Sequence, residues 1–179
     1  MLISICLDGT GVGEKAVWDF GIDKLHLRIT ELLNDTQNQK HHSLQVCADI
    51  FEILVPISLY EPFRVKLSHD QKTHLFIEET YTKLINKKKT RTELLNIFII
   101  YMSNLLSGAD SGLKNAYFTK QKVTTIIDSF FVYILDEKTH NKNFLELKKN
   151  VYGLLANFST HPEHRKMIID FFAENNKFA

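Results

Sequence analysis

Apolar side chains recur every three to four residues along almost the whole of this 179-residue chain. Leu25, Ile29 and Leu33 form one such series, and residues 126–135 contain another. This spacing places the apolar residues on one side of an α-helix, whereas the alternation typical of a β-strand is scarce. The chain is therefore predicted to be all-α, with a core built from the apolar faces of its helices.

The ends of several predicted helices are marked by capping residues. Thr90 with Glu93, and Thr160 with Glu163, have the spacing of a capping box, in which a hydroxyl and a carboxylate bind free backbone amides. The predicted helices span residues 13–19, 22–33, 42–58, 61–67, 73–86, 91–107, 112–118, 121–136, 143–159 and 162–174. Their order is a short helix, a medium helix and a longer one, which then recurs.

The ends of the longer helices resemble one another at an interval of about 50 residues. Residues 53–58, 102–107 and 154–159 superpose so that each segment ends in a serine, Ser58, Ser107 or Ser159. Asn157 lies 53 positions after Asn104, which itself lies 48 positions after Pro56. An interval of this size is slightly above the range for three-helix repeats, in which each unit covers its apolar face against its neighbours.

These residues carry a resemblance to armadillo repeats. Residues 157–159, followed by Glu163 and Arg165, are similar to the end of an armadillo third helix and the start of the next first helix. Residues 20–25 and 31–33 are similar to the corner between a first and a second helix. The resemblance implies an armadillo-like right-handed superhelical solenoid of about three repeats with partial end units. Residues 1–179 would be one such domain and a fragment of a longer protein.

The resemblance also implies a binding surface. In armadillo proteins an asparagine of the third helix faces the inner groove and bonds the backbone of an extended peptide, because an amide offers both a donor and an acceptor. The residues that it assigns to partner binding here are Asn104, Asn157, Asn150, Ile100 and Tyr101. Alternatively, these asparagines cap helices or are solvated. Pro56 stands at the third position without an amide, and the expected tryptophan is replaced by Glu52, Ile100 and Gly153, which speaks against import-receptor-like cargo binding.

The composition narrows the range of partners. Lys and Arg number 22 and Asp and Glu 21, so a net charge of +1 favours neither nucleic acid nor an anionic membrane. The longest apolar runs, residues 97–102 and 130–135, are far shorter than the roughly 20 residues of a membrane span. Cys6 and Cys47 lie within apolar helical patterns, which is typical of buried thiols in a reducing compartment.

No motif in the sequence indicates catalysis, a cofactor or a metal. Residues 9–15, Gly-Thr-Gly-Val-Gly-Glu-Lys, resemble a phosphate-binding loop but lack its spacing, and residues 108–114 repeat their glycines and lysine in register, which indicates a turn between helices. The eight histidines form no pair with metal-ligand spacing; His161 and His164 are three apart, and His161 lies at the exposed edge of a predicted helix, where a solvated residue is expected. Lys87, Lys88, Lys89 and Arg91 form a basic cluster, which is a solvated loop, an import signal or a contact for an acidic partner.

The sequence therefore predicts a non-catalytic scaffold that binds a peptide or helix of a partner protein in a concave groove. One alternative is a self-associating homo-oligomer, in which apolar ends such as residues 1–7 and 171–172 pair; another is a helical regulator of an enzyme. The degenerate repeats and long loops are similar to those of rotatin-type centriolar scaffolds. That similarity implies a cytoplasmic protein of the centrosome or cytoskeleton.

Overall fold

The computed structural model describes residues 21–34, 41–85, 92–108, 112–117, 125–129 and 142–174, and every regular element within them is helical. The all-α prediction is thus confirmed. Residues 125–129 are helical as well, and the described residues contain eight longer helices. They are α1 (Ile22–Asn34), α2 (His41–Leu59), α3 (Glu61–His69), α4 (Gln71–Ile85), α5 (Thr92–Leu106), α6 (Gly112–Tyr117), α7 (Lys142–Phe158) and α8 (Pro162–Glu174).

The predicted helix ends agree with the observed ones to within two residues wherever both ends are described. The predicted helix 13–19, both ends of the predicted helix 121–136 and the capping box at Thr90 lie outside the described residues. The capping box at Thr160 is wrong. Helix α8 begins at Pro162, and the Thr160 hydroxyl instead donates to the carbonyl oxygen of Asn157 at 2.9 Å.

Helix α5 lies between α2 and α7 and packs along both. It does so because it carries two apolar stripes about 100° apart on the helix surface. The stripe toward α2 contains Phe98 and Tyr101, whose ring centroids lie 5.7 and 5.8 Å from that of Phe51 on α2. Beside the other stripe, Asn96 and Ser103 of α5 accept hydrogen bonds from α7. The eight residues, all 1% exposed or less, are Leu94, Phe98, Tyr101 and Leu105 in the first stripe and Leu95, Ile99, Met102 and Leu106 in the second.

The shorter helices cover one side of these three. Helix α1 packs on α2 and α4, while α3 contacts α2, α4, α5 and α6. The start of α6 lies so close to α3 that a Cβ at Gly112 would overlap the imidazole of His69, so a larger residue there would require that side chain to move. Gly108 follows α5 with a φ of +99°, the left-handed conformation common after helix ends. The predicted turn at Gly108 is thus confirmed.

Helix α2 contains an 18-residue window, His42–Leu59, that is long and apolar enough to cross a membrane by length and composition. A core helix passes the same test. Cys47, Phe51 and Leu54 in this window are fully buried among the neighbouring helices, as the sequence predicted for the Cys47 thiol. Asp49 and Glu52 lie on the exposed side of the same window. The window is therefore amphipathic, as expected of a helix packed in a protein core.

A buried polar pair links α1 to α5. His26 Nε2 and the Tyr101 hydroxyl are 2.9 Å apart, and the His26 ring stacks on Phe76 at a centroid distance of 4.0 Å. Tyr101 is 0% exposed, so the prediction that it contacts a partner is wrong: it is a core residue, which burial of α5 against α2 turns away from solvent. Burial raises the pKa of Tyr101. Burial also lowers the pKa of His26 to about 4, although Asp23 and Asp70 oppose this shift.

Stability is expected to fall as the pH falls from about 6.5 to about 4. The unfolded chain binds a proton at His26 near its ordinary pKa of 6.5, whereas the folded chain resists protonation until about pH 4. This difference is worth about 3 kcal/mol when fully expressed. Urea unfolding at pH 7 and at pH 4.5 measures the loss. His26→Phe should reduce this loss of stability. A smaller dependence of stability on pH should remain because of His164, whose pKa burial also lowers to about 4. An equal slope in wild type and His26→Phe would contradict the assignment.

Candidate functional site

The exposed sides of α2, α5 and α7 form one surface, here called the front face. Helix α5 is covered by α2 and α7 on two sides and by α3 and α6 behind, which leaves the side bearing Ile97 and Ile100 half-exposed. Glu52 lies 48 positions before Ile100 on α2, and Gly153 lies 53 positions after it on α7; both are exposed. Ile100, which the resemblance assigned to partner binding, is half-exposed on this surface.

The predicted partner-binding asparagines lie at the seams between these helices. Asn104 of α5 donates from Nδ2 to the Ser58 hydroxyl at 2.9 Å and to the Val55 carbonyl oxygen at 3.5 Å, both on α2. Asn157 of α7 donates from Nδ2 to the Ser103 hydroxyl at 2.7 Å and to the Ser103 carbonyl oxygen at 3.0 Å on α5. Both amide N–H groups thus hold one helix against the one before it.

Asn150 completes this set. Its Nδ2 donates to Oδ1 of Asn96 on α5 at 2.8 Å. Asn150 lies about two helical turns before Asn157 on α7. We call Asn104, Asn150 and Asn157 the amide ladder. The resemblance implied that these three residues bind the backbone of a partner, but in the structure their N–H groups donate hydrogen bonds to neighbouring helices. Any contact of the ladder with a partner would therefore fall to the amide oxygens.

The burial pattern fixes how the three helices correspond. Intervals of 48 and 53 residues match the fully buried Phe51 of α2 to Ile99 of α5 and the fully buried Tyr101 of α5 to Leu154 of α7. They also match Val55 to Ser103, and the carbonyl oxygens of these two residues accept hydrogen bonds from the ladder. The same intervals match Ser58 to Ser159. Ser107 falls one position late, although all three serine hydroxyls donate to the carbonyl three residues earlier, at 2.6 to 2.9 Å.

A buried lysine joins the ends of α5 and α7. Lys114 Nζ donates to the carbonyl oxygen of Gly108 at 2.8 Å and to the hydroxyl of Thr160 at 2.7 Å. Its side chain is fully buried, and this desolvation lowers its pKa. A cation at the carboxyl ends of two helices is favoured by their dipoles, which offsets part of the cost of burial. Lys114 is therefore a structural residue of this joint.

The front face has mixed chemistry. Helix α2 contributes the carboxylates Asp49 and Glu52, α5 contributes the aliphatic side chains of Ile97 and Ile100, and α7 contributes Gly153. A Cβ placed at Gly153 would meet no atom within 4 Å, so the surface is open at that point. This arrangement can accept a chain that carries apolar side chains and, toward α2, a cationic one.

A groove lies between α1 and α4. It has a volume of about 290 Å³ and is lined by Leu27, Leu75 and Phe76, with the Lys72–Asp23 ion pair at 2.7 Å on its rim. The hydrogen bond and charge of Asp23 raise the pKa of Lys72. No motif in the sequence marks this groove. Its only signal is the apolar identity of Leu27 and Leu75 on otherwise polar helix faces, and both are more than half exposed.

The other predicted sites lie largely outside the described residues. This holds for the basic cluster Lys87, Lys88, Lys89 and Arg91, for the glycine-rich residues 9–15, and for residues 1–7. Phe171 was expected to be exposed, but it is 7% exposed and packs in the core, so that expectation is wrong. Within the part of the chain that the structure describes, no three His, Cys, Asp or Glu side chains are grouped to hold a metal ion.

No protein-family model, curated protein sequence or solved structure matches this chain.

Removing an amide of the ladder is expected to destabilise the fold. Asn104→Ala and Asn157→Ala should each lower the free energy of unfolding by about 1–2 kcal/mol, because each removes two part-buried hydrogen bonds to the neighbouring helix. The two losses should add, since the residues contact different pairs of helices. Urea unfolding followed by circular dichroism measures them.

Gln45→Ala is a matched control for these variants. Gln45 also uses an amide donor, but it bonds Asp49 on the exposed side of the same helix at 2.9 Å. Its loss should therefore cost less than about 0.5 kcal/mol. Equal stabilities of Asn157→Ala and Gln45→Ala would show that the ladder does not hold the helices together.

Proposed function

We propose that the chain is an armadillo-like solenoid of about three repeats that acts as a non-catalytic scaffold, binding a peptide or helix of a partner protein along its front face. The observation that carries this proposal is the amide ladder. The ladder joins α2, α5 and α7 in series, because each asparagine N–H group donates to the neighbouring helix. One side of each of these helices remains exposed. Stacks of helices that contact only their neighbours present extended binding surfaces of this kind.

The chemistry of the front face indicates the kind of segment that it would bind. Asp49 and Glu52 on α2 favour a basic residue, while Ile97 and Ile100 on α5 favour an apolar one about 10 Å away, the usual spacing of packed helices. Such a segment would be charged at one end and apolar in its centre. This pattern differs from import-receptor cargo, for which the amides themselves supply the bonds to the peptide.

The cellular setting is part of the proposal. The resemblance to rotatin-type scaffolds favours the cytoplasm and, within it, the centrosome or cytoskeleton. A partner there would be a protein, with neither nucleic acid nor a cofactor required, since a net charge of +1 provides no general attraction for polyanions.

Gly153 offers a clean test because a side chain added there projects into open space. Gly153→Trp should block the front face and abolish the capture of partners from cell extract, measured by quantitative mass spectrometry, while helical circular dichroism is unchanged. Gly153→Ala is the control. It should retain the partners and raise the free energy of unfolding by about 0.5–1 kcal/mol, because alanine loses less entropy in a helix than glycine.

Partners that bind equally well to Gly153→Trp and to wild type would move the binding surface away from the front face. A crosslinker introduced at Ile100 would then also fail to capture the partner. A crosslinker at the exposed Val65 on α3 provides the comparison.

A further inference from the structure

The groove between α1 and α4, here called the side groove, is built from two helices that run in the same direction. Asp23 and Lys72 lie in the first turns of α1 and α4 and form an ion pair at 2.7 Å. Seven residues further along each helix, Thr30 and Glu79 line the other end of the groove. The groove therefore has one pair of polar residues at each end.

The middle of the side groove is apolar and open. Leu27 of α1 and Leu75 of α4 line it between the polar ends and are 59% and 61% exposed. The stacked rings of His26 and Phe76 beside them are each 5% exposed, so the two leucines stand outside the core. A single exposed leucine is ordinary, but two that line one groove form a surface whose burial is favourable.

The side groove has charges on α4 that complement a reversed copy of the same helix. Lys72 lies three residues before Leu75, and Glu79 lies four residues after it. Seven residues make almost two full turns, so Lys72 and Glu79 lie on one side of α4, about 10 Å apart along its axis. When a second α4 is turned end for end, its Glu79 meets Lys72 and its Lys72 meets Glu79.

Both charges remain accessible in the folded chain. The Lys72 side chain is 74% exposed and that of Glu79 is 54% exposed, although Asp23 binds the first and Lys83 approaches the second at 3.5 Å. An ammonium group has three donors, so Lys72 can bind Asp23 and a further carboxylate together. Across a reversed pair of helices the charges alternate in sign, with Asp23 and Lys72 from one copy followed by Glu79 and Lys83 from the other.

We propose that the side groove pairs with the side groove of a second copy of this chain. The two α4 helices lie antiparallel, related by a two-fold axis near Leu75. The leucines of each copy cover those of the other and supply the attraction, since exposed ion pairs contribute little. The reciprocal contacts of Lys72 with Glu79 fix the direction and register of the helices. This complementarity is a property of α4 itself, so a second copy fits with no further requirement.

The dimer would carry two front faces. The side groove uses α1 and α4, whereas the front face uses α2, α5 and α7, so the two surfaces share no helix. A partner with two binding segments would bind the dimer more tightly than the monomer, because the second segment is held at a high effective concentration. The pairing itself does not depend on what the front face binds.

The mass of the full chain in solution tests the dimer. Analytical ultracentrifugation from about 1 to about 300 µM covers the affinities of a small interface. The mass should rise with concentration from 20.8 kDa toward twice that value. Leu75→Glu should weaken dimerisation at least about tenfold, with helical circular dichroism unchanged, because it places like charges at the two-fold axis. Leu145→Glu alters a similarly exposed leucine on α7 and, as the matched control, should not change the mass.

A charge swap tests the antiparallel register. Lys72→Glu and Glu79→Lys should each weaken self-association, because each places like charges opposite one another. Mixed in equal amounts, the two variants should form a heterodimer, since the new carboxylate of one chain faces the new ammonium of the other. Effects within one chain, such as loss of the ion pair between Lys72 and Asp23, are present before and after mixing and cancel in this comparison.

A chain that stays at 20.8 kDa at every concentration overturns the proposal, as does a dimer that Leu75→Glu leaves intact. Variants that fail to associate on mixing, when the wild type does associate, would overturn the antiparallel pairing. A monomer whose photocrosslinker at Leu75 captures a different protein would assign the side groove to that protein instead. Ile100→Glu changes the front face and should leave the dimer unchanged, so failure of the dimer and failure of the scaffold function give different results.

Discussion

The burial of α5 between α2 and α7 is the interaction on which the other features depend. A helix with two apolar stripes is stable only when both are covered, and this forces its neighbours into a row. Apolar contact alone does not fix how far one helix slides along the next. The amides of Asn104, Asn150 and Asn157 do so, because a hydrogen bond is lost if the helices shift by even one turn.

The helices could be predicted because the signals that define them are local. Helix α8 runs from Pro162 to Glu174, as predicted, since a proline favours the first turn and the apolar spacing continues to the end. Side-chain direction is a different problem, because it depends on which elements pack around a helix. Ile100 and Tyr101 are neighbours in sequence, yet one lies on the front face and the other is fully buried beside His26. A rotation of 100° separates the two outcomes.

The same limit applies to the asparagines. Asn104 and Asn157 are 53 positions apart in the sequence, and the burial pattern gives the same interval between α5 and α7. That interval shows which positions correspond, but it does not show which atoms lie opposite them. The bonds to Ser58 and Ser103 depend on how α2, α5 and α7 pack side by side, so the role of the two amides could not be read from the sequence.

The bond between His26 and Tyr101 has a consequence for synthesis. The other described side-chain hydrogen bonds between distant helices join residues 43 to 54 positions apart, so each helix can settle soon after its neighbour is made. His26 must wait 75 residues for its partner. Until α5 leaves the ribosome, the imidazole of α1 and the ring of Phe76 have no tyrosine hydroxyl above them. The first helix of the described chain therefore gains this bond only after α2, α3 and α4 have been made.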